Sequence, residues 1–174
     1  MTEAVLFFVG SIFITWVSIS SLRRPGSHGY YRFSAWETIW GLFLINARGW
    51  FVHPFAWYQI ISWIFLFTSL IPLLFGVYLL RKAGKPTNTL EATTILVKSG
   101  IYHYIRHPLY ASLLYLAWGI FFKSPSLVGG CVATVASTFL YATARADETE
   151  CQVKFGEEYA TYMNQTRMFI PFIF

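Results

Sequence analysis

Long apolar segments limit what this chain can fold into. Residues 4–22, 55–80 and 126–144 contain no charged side chain, and each is long enough to cross a bilayer as a helix. Only 12% of the 174 residues are charged, whereas 56% are hydrophobic. A soluble domain would carry about a quarter charged residues. The sequence therefore predicts an all-α integral membrane protein made of a single domain, residues 1–174.

Two further segments extend the predicted bundle. Residues 108–122 are apolar, and residues 34–52 are more polar, with Glu37, Asn46 and Arg48 among them. If both cross the membrane, the chain has five spans. The costly charges of Glu37 and Arg48 then indicate a function or, because both lie near helix ends, side chains that snorkel to the interface.

The distribution of basic residues favours five spans. In that arrangement all lysines and arginines except Arg48 and Lys123 lie in loops 23–35 and 81–107 or in the tail from residue 145. Cytosolic segments of membrane proteins carry such an excess. We therefore expect an outside N-terminus and a cytosolic C-terminus.

Composition also excludes several classes of function. The net charge of +5 does not indicate nucleic-acid binding, because the basic residues flank apolar runs. Two cysteines are too few for a disulfide framework. The four histidines show no metal-ligand spacing, and neither a glycine-rich phosphate loop nor a nucleophile elbow occurs. We expect no metal site.

Two polar segments are predicted to meet at the cytosolic face, residues 82–106 and 145–171. Apolar or aromatic residues at positions 151, 155, 159 and 162 predict an amphipathic helix that lies on the membrane or on the first segment. Pro108 suits the first turn of a helix that His107 would cap. The side chains expected to face each other are Tyr102, His103, Tyr104, Arg106, His107 and Tyr110 from one segment and Arg145, Asp147, Glu148, Glu150, Glu157 and Glu158 from the other. The residues alone indicate either a polar cytosolic pocket or an interfacial collar.

The pair of motifs "LVKSGIYHYIRHPLY" (96–110) and "RADETECQVKFGEEYATYMNQTRMFIP" (145–171) resembles the isoprenylcysteine carboxyl methyltransferase and phospholipid methyltransferase families. The resemblance covers about residues 87–171. It implies that spans 1–3, in residues 1–86, form the substrate side and that residues 87–174 form the cofactor-binding part. It implies methyl transfer from S-adenosylmethionine to a lipidated acceptor in the membrane, most simply the α-carboxylate of a prenylated cysteine. This chain departs from the family pattern at Asp147, where a glutamate is frequent, and at Cys151, where leucine is usual.

The resemblance also implies the roles of individual residues. The cofactor would leave as S-adenosylhomocysteine, and Arg145 and Arg106 would be the catalytic residues that hold or orient the substrate. The residues implied to bind the cofactor are Leu96, Val97, Tyr102, His107, Pro108, Leu109, Tyr110 and one or both of Asp147 and Glu148. A carboxylate acceptor is already ionised at neutral pH and needs no general base.

Three other functions remain open at this stage. Methylation of a phospholipid amine would need a base, for which His103, His107 or Glu148 could serve. The tail also resembles the end of sterol reductases, which use NADPH, although this chain is short for that family. A membrane scaffold with an aromatic collar would bind no cofactor.

Overall fold

The computed structural model describes residues 2–85 and 93–173, and these fold into helices without a β-strand. The prediction of an all-α chain is confirmed for this part. The predicted boundary between substrate and cofactor parts, at residues 86 and 87, lies outside the described residues. The helices are α1 (Thr2–Leu22), α2 (His28–Asn46), α3 (Trp57–Ala83), α4 (Pro108–Phe121), α5 (Leu127–Phe155) and α6 (Glu157–Gln165), with short 3₁₀ helices at Ala47–Gly49 and Gly100–His103.

Within the described residues, α1, α3 and α5 are long and apolar enough to cross a membrane. The apolar helix α4 has only 14 residues, about 21 Å at 1.5 Å per residue, and a hydrocarbon core is about 30 Å thick. Helix α2 has 19 residues and carries Arg32 and Glu37, which lower its hydropathy. The chain is therefore compatible with a membrane protein, and the five-span arrangement stays a proposal.

Two boundaries differ from those expected from hydropathy. The helix expected at 34–52 begins at His28, where Ser27 accepts a hydrogen bond from the Tyr30 backbone N–H (3.4 Å), and it ends at Asn46. Helix α5 continues past Ala144 to Phe155. Hydropathy marks the end of an apolar run at residue 144, but charged residues remain good helix formers in water, so the helix goes on. We call residues 145–155 the charged extension of α5.

The helices pack as a layered bundle. Helix α5 packs most extensively against α2 and less extensively against α4. The other side of α4 packs against α3, and α1 lies along α2. Small side chains on α5, Ala133 and Ala136, are fully buried against α2, where Ala35 and Leu42 are also fully buried. Small residues at such positions let two helix backbones approach closely.

The loops gather at two opposite ends of the bundle. At one end, His28 at the start of α2 pairs with Glu150 in the charged extension (2.7 Å), and Lys154 donates a hydrogen bond to the Thr93 carbonyl. At the other end, Arg48 pairs with Glu3 (2.7 Å). The segments predicted to be cytosolic therefore share one end.

Lys123 lies buried at the other end, in the turn between α4 and α5. Its ammonium nitrogen is 3.4 Å from the centre of the Trp63 ring and donates to Gln59 Oε1 (3.1 Å). The Gln59 amide nitrogen donates to the carbonyl groups of Gly49, Val52 and Lys123. Gln59 is fully buried, and its hydrogen bonds connect the turns at this end of the bundle.

We expect Gln59→Leu to lower the free energy of unfolding by about 3 kcal/mol, because the buried ammonium group and the buried carbonyl group of Lys123 both lose their hydrogen bonds to Gln59. For a protein of this size that corresponds to about 6–12 °C in Tm, measured by thermal denaturation in detergent. The exposed Gln152 offers a matched control, since Gln152→Leu should change stability by less than about 0.5 kcal/mol. Equal effects of the two substitutions would contradict the role given to Gln59.

Candidate functional site

A cavity opens at the end of the bundle that holds the charged extension. Its empty space is about 590 Å³ including its mouth. Its walls come from the end of α3, the connector between α3 and α4, the start of α4, the charged extension and α6. The lining residues are Leu80, Thr93, Leu96, Val97, Tyr102, Arg106, His107, Pro108, Leu109, Tyr110, Asp147, Cys151, Phe155, Tyr159 and Tyr162.

Contacts between the connector and α6 build the outer wall of the cavity. The Tyr162 hydroxyl donates to the backbone carbonyl of Tyr102 (2.7 Å), and both side chains are buried. Lys98 pairs with Glu158 (2.7 Å) at the surface. The expected meeting of the two polar segments is thus confirmed for their described residues.

Gly156 makes this meeting possible. It joins α5 to α6 with φ 56° and ψ −133°, a conformation that strongly favours glycine because a Cβ would be strained there. The break turns the chain, so that Cys151 and Phe155 from α5 and Tyr159 and Tyr162 from α6 line the same cavity. A continuous helix would carry the last two residues away from it.

The backbone on either side of Arg106 pairs with the tail. The Arg106 N–H donates to the Arg167 carbonyl (2.8 Å), and the Arg167 N–H donates to the Tyr104 carbonyl (3.1 Å). The His107 N–H donates to the Met168 carbonyl (3.2 Å). His107 stands at the N-cap of α4, as expected, but its side chain makes no capping hydrogen bond. Its imidazole is directed to the acidic residues of α5 instead.

Glu148 lies behind the cavity between two arginines. Its Oε1 accepts from Arg106 Nε (2.5 Å) and its Oε2 from Arg145 Nη1 (2.8 Å). Arg106 also donates through Nη1 to the Thr166 carbonyl (2.8 Å), and its side chain is largely buried. The Arg145 side chain is 57% exposed, whereas that of Glu148 is 3% exposed. Glu148 therefore joins a buried arginine to an accessible one.

His107 links the two acids. Its Nδ1 lies 3.3 Å from Asp147 Oδ2, and its Nε2 lies 3.5 Å from Glu148 Oε1 without the geometry of a hydrogen bond. Burial lowers the pKa of His107, but the two carboxylates outweigh it and the net shift is upward. Burial raises the pKa of Glu148, but His107 and Arg106 bring it down to about 2. His107 therefore lies between two carboxylates, and both favour its protonated form.

The sequence-predicted site residues fall into three groups. Asp147 lines the cavity, together with Arg106 and the predicted binding residues Leu96, Val97, Tyr102, His107, Pro108, Leu109 and Tyr110. Glu148 lies behind this wall, and Arg145 lies outside it on the accessible side of the pair. His103 is exposed and does not line the cavity.

Some lining residues were not predicted as site residues. The spacing of positions 151, 155, 159 and 162 indicated a shared face, and that signal could have placed them at the site. Leu80 at the end of α3 and Thr93 in the connector carried no such signal, because each is brought to the cavity only by the packing of α3 on α4 and by the contact with Lys154.

Comparison of the chain with models of protein families, with curated proteins and with solved structures finds no match. In residues 2–85 and 93–173, no group of three or more His, Cys, Asp or Glu side chains could hold a metal ion. The cavity has apolar and aromatic walls, an accessible carboxylate at Asp147 and the largely buried guanidinium group of Arg106.

Proposed function

We propose that the protein is a methyltransferase that uses S-adenosylmethionine to methylate the carboxylate of a lipidated acceptor, of the isoprenylcysteine carboxyl type. One observation carries the proposal: a single cavity is lined by residues of both motifs that resemble this family. Residues 96–110 supply one wall and residues 147–162 the other. In this proposal the residues of both walls have a role in the reaction.

The lining fits the cofactor chemically. Leu96, Val97 and Leu109 offer apolar surface for the adenine ring, and the Asp147 carboxylate can accept hydrogen bonds from ribose hydroxyls or the ammonium group. Tyrosine rings such as Tyr110 and Tyr102 can face the positive charge of a sulfonium. S-adenosylmethionine supplies an electrophilic methyl group when it is bound.

The two arginines have different roles in this proposal. Arg106 donates through Nε to Glu148 and through Nη1 to the Thr166 carbonyl, so it acts as a positioning residue that fixes Glu148. Arg145 uses Nη1 for Glu148, which leaves Nε and Nη2 to receive a substrate carboxylate. A guanidinium group held by a buried carboxylate is a suitable clamp for a second one.

The protonation states favour a carboxylate acceptor over an amine. An alkylammonium must lose a proton before it attacks, so the amine reaction needs a base. Of the candidate bases, His107 is buried with its Nδ1 3.3 Å from Asp147 Oδ2, Glu148 has a pKa near 2 and is bound by both arginines, and His103 lies outside the cavity. A carboxylate needs only alignment and exclusion of water.

The membrane arrangement follows from the same proposal. Five helices would cross or enter the bilayer, with the N-terminus outside and the cavity at the cytosolic face. The cofactor would then arrive from the cytosol and the lipidated acceptor from the bilayer. The concentration of basic residues at the cavity end supports this orientation.

Calorimetric titration of the purified protein tests the proposal. We expect S-adenosylhomocysteine to bind in the micromolar range, as is usual for enzyme ligands, and NADPH not to bind. Asp147→Asn should weaken S-adenosylhomocysteine binding about tenfold or more, because a charge-assisted hydrogen bond is lost. The matched control is Glu157→Gln, an exposed acid that does not line the cavity. Binding of NADPH alone would indicate a reductase instead, and binding of neither ligand a scaffold.

A further inference from the structure

A second pocket lies on the outer side of the backbone pairing between residues 104–106 and the tail. Its empty space is about 600 Å³. The residues that line it are His103, Tyr104, Asn164, Gln165, Arg167 and Phe172. None of these belongs to the proposed methyl-transfer cavity. The pocket is therefore distinct from that cavity.

The lining of this pocket suits an anion. It has no Asp or Glu, and it combines a guanidinium, an imidazole, two amides and a phenol hydroxyl. The Arg167 side chain makes no ion pair or hydrogen bond with another residue of the described chain. Its backbone forms the hydrogen bonds with Tyr104 and Arg106. An arginine with its donors available, beside amides, is well matched to phosphate oxygens.

Apolar side chains beside the pocket indicate where the anion comes from. Phe172 is 80% exposed and Ile173 is 78% exposed, and the ring of Phe172 packs edge-on against Tyr104 (5.9 Å). Exposed apolar side chains next to a basic group are typical of a segment that lies in the membrane interface. A phosphate group bound beside such a segment would belong to a lipid headgroup.

We propose that the pocket formed by these six residues binds the phosphate of an anionic membrane lipid, with Arg167 as the main ligand and Phe172 against the lipid's apolar part. The site does not depend on the proposed methyl transfer. Because the backbone of Arg167 is hydrogen-bonded to that of Arg106, an occupied pocket would also stabilise the segment that carries His107.

Native mass spectrometry after release from nanodiscs tests this site. The nanodiscs contain phosphatidylcholine with a minor fraction of phosphatidylglycerol, and the retained lipids are counted. We expect preferential retention of phosphatidylglycerol, reduced about tenfold or more in Arg167→Gln, because the hydrogen bonds from the guanidinium group to phosphate oxygens are lost. Arg167→Lys should recover part of it. The matched control is Lys82→Gln, which removes one exposed positive charge at the end of α3.

The remaining outcomes separate the lipid from other sources of attraction. Equal losses in Arg167→Gln and Lys82→Gln would mean diffuse charge attraction and would overturn the site, as would retention without preference. Phe172→Ser should lower lipid retention but leave any weak binding of glycerol 3-phosphate unchanged. If glycerol 3-phosphate binds the wild-type protein as tightly as the lipid does, the pocket takes a free phosphate and the lipid assignment is wrong.

Discussion

Glu148→Gln is expected to lower the free energy of unfolding by about 3–5 kcal/mol, the usual loss when one partner of a buried ion pair is removed. The side chains of Glu148 and Arg106 are 3% and 12% exposed, so water cannot replace the lost carboxylate. A glutamine in this position can accept from one arginine but leaves the buried charge of Arg106 uncompensated. Chemical denaturation in detergent, followed by tryptophan fluorescence, measures the effect.

Glu150 provides a matched control for this prediction. It lies two residues further along α5, and it pairs only at the surface, with His28, where its side chain is 45% exposed. Exposed pairs contribute about 0–1 kcal/mol, so Glu150→Gln should have a small effect. Equal destabilisation by the two substitutions would show that Glu148 does not have the buried role that we assign to it.

The pH dependence of stability gives a second readout for Glu148. Because its pKa falls from 4.5 to about 2 on folding, its stabilising contribution is present above pH 4.5 and is lost as the pH falls toward 2. The pKa of His107 is raised instead, so its contribution is present below its ordinary 6.5 and is lost as the pH rises through the elevated value. Glu148→Gln should flatten both limbs of the wild-type stability profile. An unchanged acid limb would contradict the lowered pKa.

The helical class and the meeting of the two motifs could be predicted because both depend on local patterns. Apolar runs of membrane length predict helices whatever packs against them. The spacing of positions 151, 155, 159 and 162 survives in the structure although Gly156 divides it between two helices. A repeat of three to four residues specifies a face, but it does not say whether the helix is broken.

The partners of individual charged residues could not be predicted in this way. The pairing of Arg106 with Glu148 joins residues 42 positions apart, and it depends on how α4 and α5 are held by the tail. The sequence does not distinguish Asp147 from Glu148 as the cofactor ligand. In the structure the helix rotation of 100° between neighbours places Asp147 on the cavity wall and Glu148 behind it.

The bounds of helix α2 and one of its contacts were also not predictable from the sequence. Its start depends on the cap at Ser27 and its course on burial of Ala35, Ile39 and Leu42 against α5, so a hydropathy window centred on residues 34–52 places it too late in the chain. Glu37 in this helix accepts a hydrogen bond from Ser11 of α1 (2.7 Å). This polar contact between helices could not be recognised from either segment alone.

Arg145→Ala is expected to raise the KM for a prenylcysteine acceptor about 10- to 100-fold, because hydrogen bonds to a charged group contribute about 1.5–3 kcal/mol. The affinity for S-adenosylhomocysteine should hardly change, since Arg145 lies outside the cavity and Arg106 still holds Glu148. Arg145→Lys should recover only part of the loss, because a lysine cannot bind both Glu148 and a substrate carboxylate in the same fork.

Two measurements separate substrate binding from cofactor binding in this region. They are steady-state kinetics with a synthetic prenylcysteine and calorimetry with S-adenosylhomocysteine. Arg23→Ala is the matched control, since it removes an exposed arginine at the same end of the bundle and should leave KM unchanged. A fall in kcat at constant KM would place Arg145 in the chemical step rather than in substrate binding. Loss of cofactor affinity would instead make Arg145 part of the cofactor site, and the carboxylate clamp would have to lie elsewhere.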